Sequence, residues 1–313
     1  MIHYYIKTII FLSWIFICCG HSNKEENNSK EAISAITYIP QIEYDSTYSY
    51  DFKSPSNTFI LEKKLVEISG LAFDSSSNYF LSNNDEKGHI YKLDVNTFKI
   101  KEDKKFGKRG DYEAIEKVGD DIITCKSSGK LFFYNEITTK TISYDTPLKS
   151  QNDVEGLCYD PRINSLILAC KGQPINAEKG RKNQKSVYLF DLEKKELNQD
   201  PFFSIYDEDL AAIVNRKFQN ESKSKIRKWV KRAKEFSPSG IAINPESGDY
   251  YLISAKGSLL LILSEEKKLK NIIFLNSKTN PQPEGICFDK ESNLYISTEG
   301  QGLRGKIFKF KYI

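Results

Sequence analysis

The chain has 313 residues, of which 39% are hydrophobic, and this length can bury the core of one large domain or of two average ones. Its 46 basic and 42 acidic residues nearly cancel, leaving a formal net charge of +4. So small an excess gives no overall positive field, and a nucleic acid is not a predicted partner.

The N-terminus has the pattern of an exported protein. Lys7 precedes an apolar run from Ile9 to Cys19, which is too short to span a bilayer but matches the apolar segment of a signal peptide. Because the run ends at two adjacent cysteines, it resembles a bacterial lipoprotein signal, in which a Cys after the apolar segment is lipidated. We predict a signal peptide at residues 1–19 with lipidation of Cys19, and an ordinary signal peptide or an uncleaved anchor is the alternative.

A polar segment follows at residues 20–50. Asn, Ser, Glu and Lys dominate it, so it cannot bury enough apolar surface to fold alone, and we predict a tether. Its residues 24–26 resemble the short acidic tag of surface lipoproteins. These features predict a lipid-anchored protein of the bacterial cell envelope, in the outer membrane on its periplasmic or surface side, with the membrane as a partner. The folded domain is predicted over residues 51–313.

One strand-like segment recurs through the folded domain. Its copies are Ile68–Asp74, Asp111–Ile115, Val154–Asp160, Pro238–Asn244 and Pro283–Asp289. Spacings of 44, 42, 84 and 45 residues separate the slot-equivalent residues Ser69, Glu113, Glu155, Ser239 and Glu284. A period of about 40–50 residues, built from strand-like units, is typical of a propeller or solenoid.

Each copy is followed by further short strands. In the first repeat these are Tyr79–Asn83, His89–Asp94 and Phe98–Lys101, separated by clusters of turn residues. Four short antiparallel strands per period indicate the blades of an all-β propeller. The last repeat stops after its third strand, at Tyr312, whereas the strand at residues 57–62 has no partner in the first repeat. That N-terminal strand is predicted to complete the last blade and close the ring.

The interval of 84 residues is about twice the others. Apolar residues recur at spacings of three to four between residues 207 and 236, which favours a helical insertion over a missed blade. Five blades are therefore predicted, and a sixth, hidden by divergence, stays open. The second half of the insertion is basic and amphipathic, so it forms either a lid on the propeller or a helix that lies on an anionic membrane or partner.

Four cysteines lie in the folded domain, and all of them occupy repeat slots. Cys158 and Cys287, for example, align with Ala72 and Ala242. A Cys that exchanges with a small residue at one repeat position behaves as a small buried side chain. We therefore predict free thiols in the core and no disulfide framework.

The ordered motifs of the chain resemble one known family. The likeness to the SdiA-regulated family of bacterial envelope β-propellers rests on Glu67–Leu71, Asn84–Gly88, Gly110–Glu113, Glu155–Leu157, Pro238–Ile241 and Pro281–Ile286. It implies a propeller and an envelope location, and it implies no particular activity. A fainter likeness connects the Glu-Gly pairs to the lactonase and senescence-marker propellers, in which such a Glu binds a divalent metal in the central channel.

The recurring glutamates are the main candidates for a site. The first strand of each propeller blade lines the central channel, so slot-equivalent residues converge on one face. The candidate metal or ligand residues are the glutamates of this slot and nearby turn carboxylates: Glu113, Glu155, Glu284, Asp85, Asp111 and Asp153. Oxygen ligands of this kind suit Ca²⁺ or another hard cation. Crowded like charges also require a cation or a proton.

A second slot offers alternatives to a metal. Lys126, Lys171 and Lys256 align at the ends of the second strands. If they reach the channel, they can pair with the three glutamates and join neighbouring blades, or they can bind an anionic small molecule. The metal, ion-pair and anion-binding interpretations all stay open on the sequence.

Catalysis by a side-chain nucleophile finds little support. The three histidines are scattered at positions 3, 21 and 89, and neither a Gly-x-Ser-x-Gly turn nor zinc-ligand spacing occurs. We therefore predict a binding or interaction module for an unknown protein or small-molecule ligand. The alternative is a metal-dependent hydrolase of the lactonase or phosphoesterase type, in which a channel carboxylate acts as base for a metal-activated water.

Overall fold

The computed structural model describes residues 49–177, 183–277, 281–300 and 302–313. Residues 1–48, which include the predicted signal peptide, Cys19 and most of the predicted tether, lie outside the described residues. The strands of the described part are, in chain order, β1 (Asn57–Ile60), β2 (Ile68–Asp74), β3 (Tyr79–Asn84), β4 (His89–Asp94), β5 (Ile100–Lys105), β6 (Tyr112–Val118), β7 (Asp121–Lys126), β8 (Leu131–Asn135), β9 (Thr141–Tyr144), β10 (Val154–Asp160), β11 (Ser165–Cys170), β12 (Gln184–Asp191), β13 (Glu196–Leu197), β14 (Phe203–Tyr206), β15 (Ser237–Ile243), β16 (Tyr250–Lys256), β17 (Leu259–Leu263), β18 (Leu269–Phe274), β19 (Pro283–Phe288), β20 (Leu294–Thr298) and β21 (Lys306–Phe310). Two helices, α1 (Asp207–Lys217) and α2 (Lys223–Lys234), and 3-10 turns at Lys63–Leu65 and Ser150–Asn152 accompany them.

These strands form five antiparallel sheets, which are the blades of a propeller. Four sheets have four strands, in the orders β2-β3-β4-β5, β6-β7-β8-β9, β15-β16-β17-β18 and β1-β21-β20-β19. The remaining sheet runs β10-β11-β12, and β13 and β14 both pair with β12. The first strands contact one another in the cyclic order β2, β6, β10, β15, β19 and back to β2. The predicted five-bladed all-β propeller is therefore confirmed, and the interval of double length contains no sixth blade.

The double interval contains the predicted insertion. It lies between β14 and β15 and consists of two helices, separated at residues 218–222, where the sequence pattern alone had shown one helical stretch. Acidic residues fill the first turn of α1 and basic residues its last turn, as the helix dipole favours. The Ser222 side chain accepts a hydrogen bond from the Lys225 N–H and caps the start of α2.

Glycine recurs in the first strands because neighbouring blades approach closely there. A Cβ added to Gly70 would lie 2.6 Å from the Ile115 nitrogen, and one added to Gly240 would lie 2.6 Å from the Glu284 carbonyl oxygen. Gly285 meets the backbone of β2 in the same way. The glycine of the repeat therefore serves packing around the channel, whatever the neighbouring residue does.

The acidic residue at the end of the repeat also has a structural role. The carboxylates of Asp74, Asp160 and Asp289 and the amide oxygen of Asn244 accept backbone N–H groups two or three residues further along the chain. These Asx turns connect the first strand of a blade to its second. They lie at the end of the channel where the first strands end, which we call the lower end.

One predicted strand is displaced. The fourth strand of the first blade was expected at Phe98–Lys101 but forms at Ile100–Lys105. Phe98 has a φ of 55° and its N–H donates to the Asp94 carbonyl, so it belongs to a tight turn. Its buried ring packs on Phe80 and Phe59 instead of extending the strand.

The N-terminal strand closes the ring as predicted. β1 pairs with β21, with Thr58 opposite Phe308, and becomes the outer strand of the last blade. Tyr50, at the end of the predicted tether, is 1% exposed. Its hydroxyl donates to the Ser292 carbonyl and accepts from the Asn244 amide, which ties the segment before β1 to the fourth and fifth blades.

The apolar stripe of α2 packs on the propeller, as the lid interpretation requires. Trp229 stacks on Phe274 of β18 with ring centroids 5.3 Å apart and also contacts Phe218. Arg232 donates to the carbonyls of Gly257, Ser258 and Leu275 at 2.6–2.8 Å. The helix is thus fixed to the fourth blade, and most of its lysines are exposed.

Substituting Arg232 by Ala is expected to loosen this attachment. Three charge-assisted hydrogen bonds to backbone carbonyls would be lost, with an expected cost of about 2 kcal/mol in the free energy of unfolding. Thermal melting followed by Trp fluorescence measures this change. Arg227→Ala is the matched control, because Arg227 is exposed on the same helix and, among the described residues, bonds only the carbonyl of Lys223. Equal melting of the two variants would contradict the role given to Arg232.

The described cysteines are free, as predicted. Cys125, Cys158, Cys170 and Cys287 are all buried, and none forms a disulfide. Among the described residues, no helix combines the length and the apolar character that crossing a bilayer requires.

Candidate functional site: the channel mouth

The first strands begin around a cavity of about 250 Å³. We call it the channel mouth and define it by its charged lining residues, which are Asp85, Glu113, Glu155, Glu284, Glu299, Lys171 and Lys256. The mouth therefore brings together four of the six carboxylates that the sequence predicts as site residues. It also contains two of the three predicted lysines. Carboxylates outnumber lysines in this lining, so its formal charge is negative.

Backbone irregularities direct the slot residues toward the mouth. Tyr112 and Ala114 pair with consecutive residues of β7, which leaves Glu113 as the extra residue of a β-bulge. Glu155 and Ser239 occupy the same kind of bulge in β10 and β15, and a register shift also spans Glu284 in β19. A bulge re-aims the side chain of its extra residue, and such bulges are frequent next to functional sites. The recurrence of this slot therefore has a geometric cause.

One of the predicted ion pairs forms. The Nζ atom of Lys171 lies 2.5 Å from Oε1 of Glu155 and 3.6 Å from Oδ2 of Asp153. Glu155 is buried, and Lys171 is about one-third exposed. This pair links the first and second strands of one blade and does not cross between blades.

The other two lysines form no such pair within the described chain. Lys126 lies over the rings of Tyr112 and Phe132, at 4.9 and 5.6 Å from their centroids, and does not line the mouth. Lys256 is exposed and lines the mouth without an ion-pair partner among the described residues. The ring of three Glu–Lys pairs therefore does not form among the described residues. The three lysines share a position at the ends of the second strands, but not a partner.

Burial keeps protons on the mouth carboxylates. Desolvation, followed by the charges of Glu155 and Asp111, raises the pKa of Glu113 to about 9. Desolvation, followed by the charges of Glu155 and Glu299, raises the pKa of Glu284 to about 9 as well. The pKa of Glu155 rises only to about 7, because Lys171 opposes the effect of burial. Lys171 thus offsets the repulsion between carboxylates at Glu155, whereas Glu113 and Glu284 have no ion-pair partner among the described residues.

Two predicted carboxylates lie outside the mouth lining. Asp111 accepts a hydrogen bond from the Ser127 hydroxyl and is exposed. Asp153 contacts the ammonium group of Lys171 and is not among the residues that line the mouth. Asp85 does line the mouth, and desolvation raises its pKa.

The residues present were tested for a calcium site. Carboxylate oxygens have the right chemistry for a hard cation. In the part of the chain that the structure describes, however, no group of three or more Asp, Glu, His or Cys side chains has an arrangement that could hold a metal ion. Glu155 is also engaged by Lys171. The donors therefore do not fit a preformed calcium site as they are placed here.

Sequence reasoning missed two acidic residues in the channel. Glu299 lines the mouth from the slot that holds lysine in three other blades, and burial raises its pKa to about 7. Glu116 lies at the lower end of the channel. It follows Glu113 by three residues, and aligning the second repeat through its full first strand would have placed it beside Cys158 and Cys287.

The fold and the site together define a five-bladed β-propeller whose channel mouth is rich in carboxyl groups. The chain belongs to the SdiA-regulated family, whose model matches residues 57–302. No curated protein matches the sequence.

Solved structures share the architecture at low identity. The glutaminyl cyclase of Myxococcus xanthus is 11% identical, with a TM-score of 0.52 over 82% of this chain and 95% of that chain. A streptogramin B lyase is 10% identical, with a TM-score of 0.46 over 82% of this chain and 97% of that chain. A luciferin-regenerating enzyme is 12% identical, with a TM-score of 0.46 over 79% and 78% of the two chains. At such identities the likeness concerns the fold alone.

Proposed function

We propose that the protein is a lipid-anchored envelope lipoprotein whose propeller is a binding module, and that its channel mouth takes a cationic ligand. The observation that carries this proposal is the excess of carboxyl groups over lysines in the mouth. Five carboxylates line it against two lysines, and one of those lysines is already paired with Glu155. A positively charged ligand would lower the free energy of the ionised carboxylates, which burial and mutual repulsion raise.

The same composition favours a cation over an anion. An anionic ligand would have Lys256 as its main partner, since Lys171 is paired and Lys126 lies on aromatic rings outside the lining. It would also lie beside the carboxyls of Glu113, Glu284 and Glu299, and it would raise the free energy of their ionised forms further. Among cations, an ammonium or guanidinium group pairs with carboxylates without closing a full coordination shell, so it suits the spread positions better than Ca²⁺ does.

Anchoring rests on the N-terminal sequence. The apolar segment that ends at Cys19 supports lipidation, and the family supports a propeller that is presented from the envelope. In this proposal the lipid anchor holds the protein on the outer membrane, and the channel mouth binds the ligand. A protein that offers a Lys or Arg side chain and a free small amine are both ligands of the required chemistry.

Titration with 1,4-diaminobutane at pH 8, followed by calorimetry, tests the mouth. We expect saturable binding that weakens by about tenfold or more in the Glu113→Gln/Glu284→Gln variant. Glu193→Gln is the matched control, since Glu193 is an exposed acid that is not among the residues lining the mouth. Ca²⁺ is the second probe, and a rise in melting temperature that the double variant abolishes would identify a metal as the ligand. Absence of binding for both probes, or equal binding by the double variant, would contradict the proposal.

A further inference from the structure

A second cavity lies at the lower end of the channel, away from the mouth. Its volume is about 210 Å³, and four blades contribute apolar side chains to it, among them Leu71, Phe73, Tyr159, Ile243 and Phe288. We call this cavity the lower pocket. Apolar walls with a few polar groups are typical of small-molecule sites.

A single ring of slot-equivalent residues forms part of its lining. Strand register places Ala72, Glu116, Cys158, Ala242 and Cys287 at the same position, one or two residues before the end of the first-strand pairing. Four of these residues are small, and Glu116 of the second blade is the exception. Chain packing alone would be served by Ala or Cys at this position, so the carboxyl group calls for its own explanation.

Glu116 has no cationic partner among the described residues. Its carboxylate accepts the backbone N–H of Lys117 at 2.7 Å and that of Tyr159 at 3.2 Å. The ammonium group of Lys117 bonds Glu136 instead, at 2.5 Å. A carboxylate has about four acceptor positions, so two backbone donors leave capacity for a further donor. Burial raises the pKa of Glu116 to about 7, and a cation placed against it would restore the ionised form.

The other charged residues of the pocket lining are Asp289, which is buried, and Lys290. The Asp289 carboxylate is engaged by the Asn293 amide and the Tyr295 hydroxyl. Lys290 is exposed and bonds no acid among the described residues. The Asp289 carboxylate accepts four hydrogen bonds, so Glu116, which accepts two, is the carboxylate of the lining with capacity for a further donor.

We propose that the lower pocket binds a small amine with an apolar body, whose ammonium group bonds Glu116 while its body packs on Leu71 and Phe288. An ammonium group supplies the donors that Glu116 can still accept, beside apolar walls. The apolar body replaces solvent against the walls. This site is separate from the channel mouth, and its occupancy does not depend on the ligand proposed there.

Calorimetry with 2-phenylethylamine and 2-phenylethanol at pH 7 tests the pocket. The two probes share the apolar body and differ in charge. We expect the amine to bind the wild-type protein about tenfold or more tightly than the alcohol. In Glu116→Gln, which keeps one of the two oxygens that accept the backbone N–H groups, amine binding should fall to the level of the alcohol.

Glu193→Gln, which removes an exposed carboxylate that lines neither cavity, is the control, and it should bind the amine as the wild type does. Equal affinity of wild type and Glu116→Gln for the amine would overturn the proposal. Equal affinity of the wild type for amine and alcohol, or no saturable amine binding up to about 10 mM, would overturn it as well. If Glu116→Gln fails to fold, the same comparison of amine and alcohol in Glu113→Gln/Glu284→Gln, which lacks two of the mouth carboxylates, decides the matter.

Discussion

A chain that begins at Lys63 is expected to melt far below one that begins at Ser49. The shorter chain lacks β1, which leaves β21 as an open sheet edge, and it also lacks the buried side chains of Tyr50 and Leu61. Loss of a large buried side chain costs about 3–5 kcal/mol, and the two losses together should lower the melting temperature by about 10 °C or more. Circular dichroism measures the melting temperature, and size-exclusion chromatography measures the self-association that an exposed edge promotes.

Tyr50→Phe in the longer chain separates the strand from its anchor. The variant keeps the ring, which packs against Tyr251, Phe288 and Tyr312, and loses the hydrogen bonds to Ser292 and Asn244. It should therefore cost only about 1–2 kcal/mol. If the shorter chain melts with the longer one and stays monomeric, closure of the ring by β1 does not stabilise the fold.

The propeller was predictable because the first strand, the turn residues and the spacing recur together in each repeat. Each first strand combines a small residue that permits close packing with alternating apolar residues, and most end in an Asp or Asn that forms the next turn. The period, the turns and the unpaired terminal strand then leave little freedom in topology. Local details escaped where tertiary packing overrode the pattern. Phe98, for example, was read as strand, but its ring is buried beside Phe80 and the backbone turns there.

The candidate site was predictable in position but not in pairing. The position of a residue within a repeat fixes where its backbone lies in the blade. Glu113 and Glu155 accordingly occupy equivalent bulges at the start of their first strands. The end of a long lysine side chain is a separate matter. Lys171 reaches a carboxylate, whereas Lys126 reaches the aromatic rings of its own blade. Sequence alignment cannot distinguish these outcomes, because they depend on neighbours contributed by other strands.

Raising the pH from about 5.5 to 8.5 is expected to destabilise the protein, because buried carboxyls hold protons that the unfolded chain has already released. Glu113 and Glu284, with pKa values raised to about 9, and Glu155, raised to about 7, bind more protons when folded throughout this window. Their favourable contribution is complete below the ordinary Glu pKa and is lost as the pH rises through the folded values. Carboxyls with lowered pKa values, such as those of Asp103 and Asp160, lose their stabilising effect only in more acidic solution.

The Glu113→Gln/Glu284→Gln variant should remove much of this pH dependence. At pH 8.5 we expect it to be more stable than the wild type by about 1–3 kcal/mol, since glutamine has no proton to lose in the channel mouth. At pH 5.5 the two proteins should unfold at similar denaturant concentrations. Above this window Lys185 and Lys217, whose pKa values are lowered by burial, act in the opposite direction, so the comparison ends at pH 8.5. Urea titrations across the window measure the difference, with Glu193→Gln as the exposed control. Parallel curves for the wild type and the double variant would mean that the mouth carboxylates are ionised in the folded protein, which would contradict the raised pKa values of Glu113 and Glu284.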